Sequence, residues 1–264
     1  TLDRSSAASD VYKRQGKSSS YEAGGGIGIQ LYNSFFLLIV TLIISIPLST
    51  GAGIYLAEYA KKGPITNFIR TCIEILSSLP SVVVGLFGYL IFVVQFEYGF
   101  SIISGALALT VFNLPQMTRN VEDSLLHVHH TQREAGLALG LSRWETVFHV
   151  VIPEALPGIV TGIVLASGRI FGEAAALIYT AGQSAPALDW SNWNPLSVTS
   201  PISIFRQSET LAVHIWKVNS EGTIPDATLV SAGSAAVLLI FILIFNFSAR
   251  FIGKKLHSKM TAAK

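Results

Sequence analysis

The chain has 264 residues, of which 50% are hydrophobic and 13% charged, and its mean hydropathy is +0.53. A soluble domain carries about 25% charged residues, so half that proportion together with several long apolar runs points to an integral membrane protein. The formal charge of +2 is too small for a nucleic-acid-binding surface, and the single cysteine, Cys72, excludes an internal disulfide.

Residues 1–26 are rich in Ser, Gly and charge and show no apolar period. They read as a disordered or non-native tail. Gly16-Lys17-Ser18 lacks the upstream glycine of a phosphate-binding loop, since Val11 stands at that position. The tail also lacks the apolar core of a signal peptide.

A first span is expected over residues 30–56, longer than the ~20 residues needed to cross a bilayer. Pro47, Gly51 and Gly53 in its second half permit a bend or close helix packing. A basic turn follows at Lys61-Lys62-Gly63-Pro64. The second span, 68–94, is expected to break at Leu79-Pro80-Ser81, because proline removes a backbone donor and clashes with the preceding turn. Glu74 near its start reads as an interfacial or groove-facing carboxylate. A third span covers 100–117, with Asn113 and Pro115 near its end. Residues 118–152 are polar and charged with helical spacing. The fourth span covers 156–180, residues 183–227 form a long polar loop with Trp190, Trp193 and Trp216, and the fifth span covers 227–251. Arg250, Lys254, Lys255 and Lys259 make a basic end.

Cytoplasmic loops carry the Lys/Arg excess. Lys61, Lys62, Arg70, Arg119, Arg133, Arg143 and the basic end fall on alternate connections, which places 118–152 in the cytoplasm and 183–227 outside it. Five spans with a cytoplasmic C-terminus leave the tail outside, although it carries Arg4, Lys13, Arg14 and Lys17. A missing first membrane helix accounts for this; a native translocated tail is the alternative.

Two features of the polar segment invite chemistry. His127, His129, His130 and His149 raise the question of a metal, but no cysteine lies nearby and a solvated surface is the plainer account. No nucleophile–base signature is present, so neither catalytic nor metal-binding residues are assigned. The second feature is Glu134-Ala135-Gly136, then Gly140, then Val150-Val151-Ile152-Pro153. Small residues leave a narrow helix surface, Gly140 permits a tight turn, and the apolar residues after it reattach the chain to the bundle. Such a helix suits docking into a partner's groove. Inside the fourth span, Arg169 and Glu173 stand at i and i+4, on one helical face. A lone charge at that depth costs at least about 2.5–3.5 kcal/mol, so the pair is expected to face the protein interior. It is either a salt bridge holding the bundle or a gated anion site.

The spacing of Glu134, Ala135, Gly140 and Pro153 resembles the cytoplasmic signature of ABC-importer membrane subunits: E-A-A, three residues, G, nine residues, I-x-L-P. Gly136, Val150 and Ile152 are mild departures from it. Three further stretches are similar to the A-type permeases of phosphate (Pst) importers: Leu79–Leu86 (LPSVVVGL), Gly168–Leu177 (GRIFGEAAAL) and Asn246–Arg250 (NFSAR). Ala174 and Ala176 replace that family's Thr and Pro. The resemblance covers about residues 28–260 and implies an all-α polytopic permease, five of whose usual six helices are present here. It implies a coupling helix at Glu134, Ala135, Gly136 and Gly140, and a substrate path touching Arg169 and Glu173. There Arg169 would supply a forked donor to phosphate oxygens, and Glu173 would orient it and exchange a proton. It further implies a multi-pass protein of the bacterial inner membrane without a cofactor of its own, and ATP used by a partner ATPase dimer. The other partners would be a homologous permease subunit, an extracytoplasmic phosphate-binding protein and membrane lipid. A permease for another oxyanion or small solute, a membrane enzyme using the histidines, and a non-transport scaffold are the alternatives.

Overall fold

The computed structural model describes residues 26–221 and 226–262, so residues 1–25 of the expected tail lie outside the described part. Among the described residues every regular element is helical. Helix α1 spans Gly28–Ile54 and runs on through a π-helical turn, Tyr55–Tyr59. It is built inside out. Gln30, Asn33, Ser34, Thr41, Ser45 and Ser49 are buried, whereas Ile39, Ile43 and Leu48 are exposed. Small polar residues let neighbouring backbones approach, and their hydroxyls are satisfied locally: Ser34 Oγ donates to the Gln30 carbonyl and Thr41 Oγ1 to that of Leu37, each at 2.8 Å.

Helix α2, Pro64–Ser77, starts on a proline, whose missing N–H costs nothing in the first turn. It ends before Pro80, which takes an extended ψ of 137° and begins α3, Ser81–Gly88. The break expected at Leu79-Pro80-Ser81 is therefore present. A π-helical stretch, Tyr89–Gln95, continues α3. Helix α4, Ile102–Leu126, runs well beyond the expected end at Met117. Among the described residues three helices are long and apolar enough to cross a membrane: Gly28–Tyr59, Arg143–Gly172 and Ala227–Lys255. Pro64–Ser77 and Ser81–Gln95 qualify only together. The remaining expected span lies in α4, which has the length but carries Asn113, Gln116, Arg119, Asn120, Glu122 and Asp123 in its second half.

Helix α5, His130–Ala138, and the short α6, Arg143–Thr146, are joined through Gly140 at φ +84°, with open space around it. The requirement there is conformational, as expected for a tight turn. Ser142 starts α6 with a capping box, its Oγ accepting from the Glu145 N–H while Glu145 accepts from the Ser142 N–H. A π-helical turn, Val147–Val151, leads into α7, Ile152–Gly172. The fourth span was expected to continue to Thr180. It stops instead at Gly172, and α8, Ala175–Thr180, begins after a break at Glu173-Ala174. The long loop also differs from expectation, because it contains helix α9, Leu211–Glu221, whose Leu211, Ala212, Val213, His214 and Val218 are buried. Helix α10 covers Ala227–Ala262.

The chain divides into two compact units. The first takes in the chain up to Thr41, Pro80–Leu109 and Ile170–Ile242. Phe35, Phe171 and Phe241 stack there with ring centroids 5.0–5.5 Å apart. A Cβ on Gly85 of α3 would lie 2.7 Å from the Ala176 Cα, so only glycine lets α8 seat its backbone on α3. The second unit takes in Leu42–Leu79, Thr110–Arg169 and the chain from Leu243. Its core is Val121, Leu125, Val128, Val151, Ala155 and Ile159, with Ile54, Ala57, Ile152 and Ile163 against it.

Candidate functional site

The segment carrying Glu134, Ala135, Gly136 and Gly140 lies in the second unit. Its attachment is made by Arg133, beside the signature. Arg133 Nη2 and Nε donate to Glu58 Oε1 at 2.7 and 3.1 Å, and its guanidinium also donates to the carbonyls of Leu125 and Val128. The two side chains are 17% and 8% exposed. Arg143 adds a hydrogen bond to the Glu58 carbonyl and stacks over the Tyr59 ring. Gly136 is buried against Thr146, where a Cβ would meet Cγ2 at 2.9 Å. The glycine in place of the usual alanine thus goes with a threonine that closes α6 onto α5. Glu134 and Ala135 are exposed, and the Glu134 Oε1 lies 3.1 Å from the His130 Nδ1. Leu137, Leu139 and Trp144 are exposed beside them, with Trp144 stacked 4.0 Å from Phe148. The result is an apolar tip with the carboxylates of Glu134 and Glu145 exposed on it, held on the bundle by a largely buried arginine.

The histidines have ordinary partners. His127 Nδ1 meets the Asp123 carbonyl, His149 Nδ1 that of Glu145, and His130 the Glu134 carboxylate. Glu74 lies 3.8 Å from Arg119, both in solvent.

Arg169, near the end of α7, donates through Nη1 to the side-chain Oε1 of Gln116 on α4. Both belong to a small cavity of about 120 Å³ lined by Asn113, Gln116, Met117, Asn120, Leu165, Ala166 and Arg169. That volume is about four water molecules. Among the described residues its lining holds one charge, a cation, and three amides. A guanidinium with amide N–H donors around it favours a small oxyanion over a cation. Glu173 lies one residue past the end of α7, its N–H donating to the Ile170 carbonyl at 3.3 Å. Its Oε1 accepts from the Ala176 N–H at 3.3 Å and so covers the start of α8.

Several residues that the structure brings into pairs or into the cavity were not assigned a role from the sequence. Glu58 is the one acidic residue in the first apolar run, a signal that could have found it. Asn113, Gln116 and Asn120 recur at helical spacing, a second such signal. In the first unit, Glu209 and His214 form a buried pair at 3.0 Å, with the Glu209 carbonyl accepting from Asn33. Arg206 is buried against the Tyr32 and Phe36 rings and donates to the Pro201 and Gln207 carbonyls. Burial pulls it down to about 10, which leaves it a cation at neutral pH.

Residues 49–262 match the family described as binding-protein-dependent transport system inner membrane component. Over 246 residues the chain is 57% identical to the probable ABC transporter permease protein YqgI of Bacillus subtilis, covering 93% of this chain and 84% of that protein. It is 37% identical over 238 residues to the phosphate transport system permease protein PstA of Yersinia pestis, covering 89% and 75%. It is 35% identical over 231 residues to PstA 2 of Mycobacterium bovis, covering 87% and 72%. The fold is similar to a chain of the inward-facing MetNI methionine ABC transporter, with a TM-score of 0.62 at 18% identity, covering 88% of this chain and 94% of that one. An α-helical bundle with apolar spans, a projecting segment of the E-A-A type and a signature that runs through Pro153 all agree with the match over residues 49–262: the chain belongs to the family of inner membrane components of binding-protein-dependent transport systems.

Proposed function

We propose that this chain is the permease subunit of an ATP-driven importer of inorganic phosphate. The observation that carries the cargo is the Arg169 cavity: one cation and three amides around a space suited to a small oxyanion. The names of the Yersinia and Mycobacterium relatives support phosphate, whereas the Bacillus relative's name gives no cargo and leaves room for a permease of another oxyanion. A path built this way binds weakly enough to let the ion leave.

The tip at Glu134, Ala135, Gly136 and Gly140 docks in a groove of a cytoplasmic ATPase, one of a pair. That partner carries the nucleotide chemistry, and this chain carries neither cofactor nor catalytic residues. Residues 118–152 and the C-terminus lie in the cytoplasm. The 183–227 region faces outward, toward a phosphate-binding protein, and a homologous permease completes the path. ATP draws the motor together, the docked tips follow, and the helices open the path outward; hydrolysis resets it. Arg169 offers two donor edges to the anion in exchange for its bond to Gln116, and Glu173 acts through the start of α8.

The test is ATP-dependent phosphate uptake by proteoliposomes holding the full complex, with sulfate and molybdate as competitors. Arg169→Gln is expected to lower uptake at least tenfold with assembly intact. Uptake at the wild-type rate in that variant would refute the anion site.

A further inference from the structure

Below the Arg169 cavity, the second unit holds a wider groove of about 590 Å³, lined by Asp123, Ser124, His127, Glu154 and Thr161 among others. The two spaces share two lining residues, Asn120 and Leu165. Leu165 is apolar, so Asn120 is the polar half of the junction. It belongs to a stripe on one face of α4, where Asn113, Gln116, Asn120 and Ser124 recur at steps of three and four. The amide is also clamped from α7. A Cβ on Gly162 would stand 3.1 Å from the Asn120 Cβ and 3.2 Å from its Nδ2, so a side chain there would press on that amide.

The chemistry of this junction fits an anion in transit. A carboxamide donates N–H bonds to an oxyanion without adding a charge that would hold it. Beyond it the groove carries Asp123 and Glu154, which disfavour retention of an anion. We infer that Asn120 is a relay in the permeation path, a neutral donor that takes a tetrahedral oxyanion from Arg169 and passes it into the groove rimmed by Asp123 and Glu154. The relay rests on the anion-path reading of Arg169 given above.

The experiment uses the full complex in proteoliposomes and reads two quantities, inorganic phosphate taken up and ATP hydrolysed. Asn120→Asp keeps the shape and adds a negative charge. Asn120→Leu keeps the bulk and removes the donor. Asn120→Ser keeps a short donor. The relay predicts that the Asp and Leu variants lower phosphate moved per ATP at least tenfold while ATP hydrolysis stays within twofold. It also predicts that the Ser variant remains within threefold of wild type. An Asp variant with the wild-type ratio overturns the relay. So does a parallel fall of ATP hydrolysis and uptake in both the Asp and Leu variants, which makes Asn120 a packing residue. Arg169→Gln is run alongside. Undiminished uptake in that variant removes the anion-site reading, whereas loss there with none in Asn120→Asp overturns the relay alone. If the wild-type complex moves sulfate in place of phosphate, the cargo reading fails and the same variants, measured with sulfate, decide the relay.

Discussion

Glu58→Gln tests the attachment of the projecting tip. In the wild type, Arg133 gives Glu58 a two-pronged ion pair and donates to the Leu125 and Val128 carbonyls besides. Removing one partner of a buried pair costs about 3–5 kcal/mol, because the other charge stays buried. Glutamine keeps the shape and one acceptor, and both carbonyl bonds survive, so the lower end applies, about 3 kcal/mol. At 1.4 kcal/mol per tenfold, local opening of the tip should become roughly 100-fold more frequent. Hydrogen exchange read on the amides of residues 130–151 reports that opening directly. Glu134→Gln is the control, since its solvent-facing contact with His130 is worth about 0–1 kcal/mol. Protection in Glu58→Gln within twofold of wild type would refute the reasoning. A cycle with Arg133→Met isolates the pair and should return a coupling of at least about 2 kcal/mol.

Gly85→Ala should lower the thermal midpoint by several degrees, because its Cβ meets Ala176 backbone that cannot swing aside, an overpacking cost of about 1–3 kcal/mol. Gly51→Ala, with nothing within 4 Å, should leave the midpoint within a degree or two, and the contrast between the two variants is the measurement. Asp189 is held below the usual carboxylate range by hydrogen bonds from the Ser191 hydroxyl and backbone. A depressed carboxylate contributes stability above its unfolded value and loses it as pH falls through the folded one. Proteolysis of the 183–208 loop should therefore be faster in Asp189→Asn from about pH 5 upward, and the difference between the two proteins should shrink as the pH falls below about 4.

What the sequence revealed was local chemistry. The break at Pro80 was readable because proline lacks the N–H and clashes with the preceding turn, and Gly140 was readable because a positive φ belongs to glycine. The spacing from Glu134 to Pro153 was readable because it lies within one stretch of chain. The break at Glu173-Ala174 was not. Hydropathy continues unbroken to Thr180, and the break goes with the seating of α8 on Gly85, far away in sequence. Helix α9 was hidden because its apolar face is short and sits in polar company, although its buried Leu211, Val213 and Val218 show that packing holds it. Glu58 and Arg133 stand 75 residues apart, and composition carries no sign of their meeting. Arg169 was recognisable as a charge in an apolar run, but Gln116 as its partner needed the approach of α4 to α7.

Helix α4 ties the tip to the cavity within the second unit. Gln116 holds Arg169, and Leu125, nine residues on, accepts from Arg133. At ~1.5 Å per residue those two contacts lie about 14 Å apart on one rod. Glu122 between them is braced by Arg70, whose Nη2 lies 2.6 Å from its Oε1. A pull on Arg133 therefore reaches the Asn113–Gln116–Asn120 stripe through helix rather than through loop, and the stripe can move relative to α7 only as the tip moves. This makes the two ends dependent on each other. Arg133→Met releases the rod from the tip, after which Asn120→Leu has little transport left to uncouple. The double variant should move about as much phosphate per ATP as the worse single variant. If the two losses multiply, the ends act independently and α4 is not the connection.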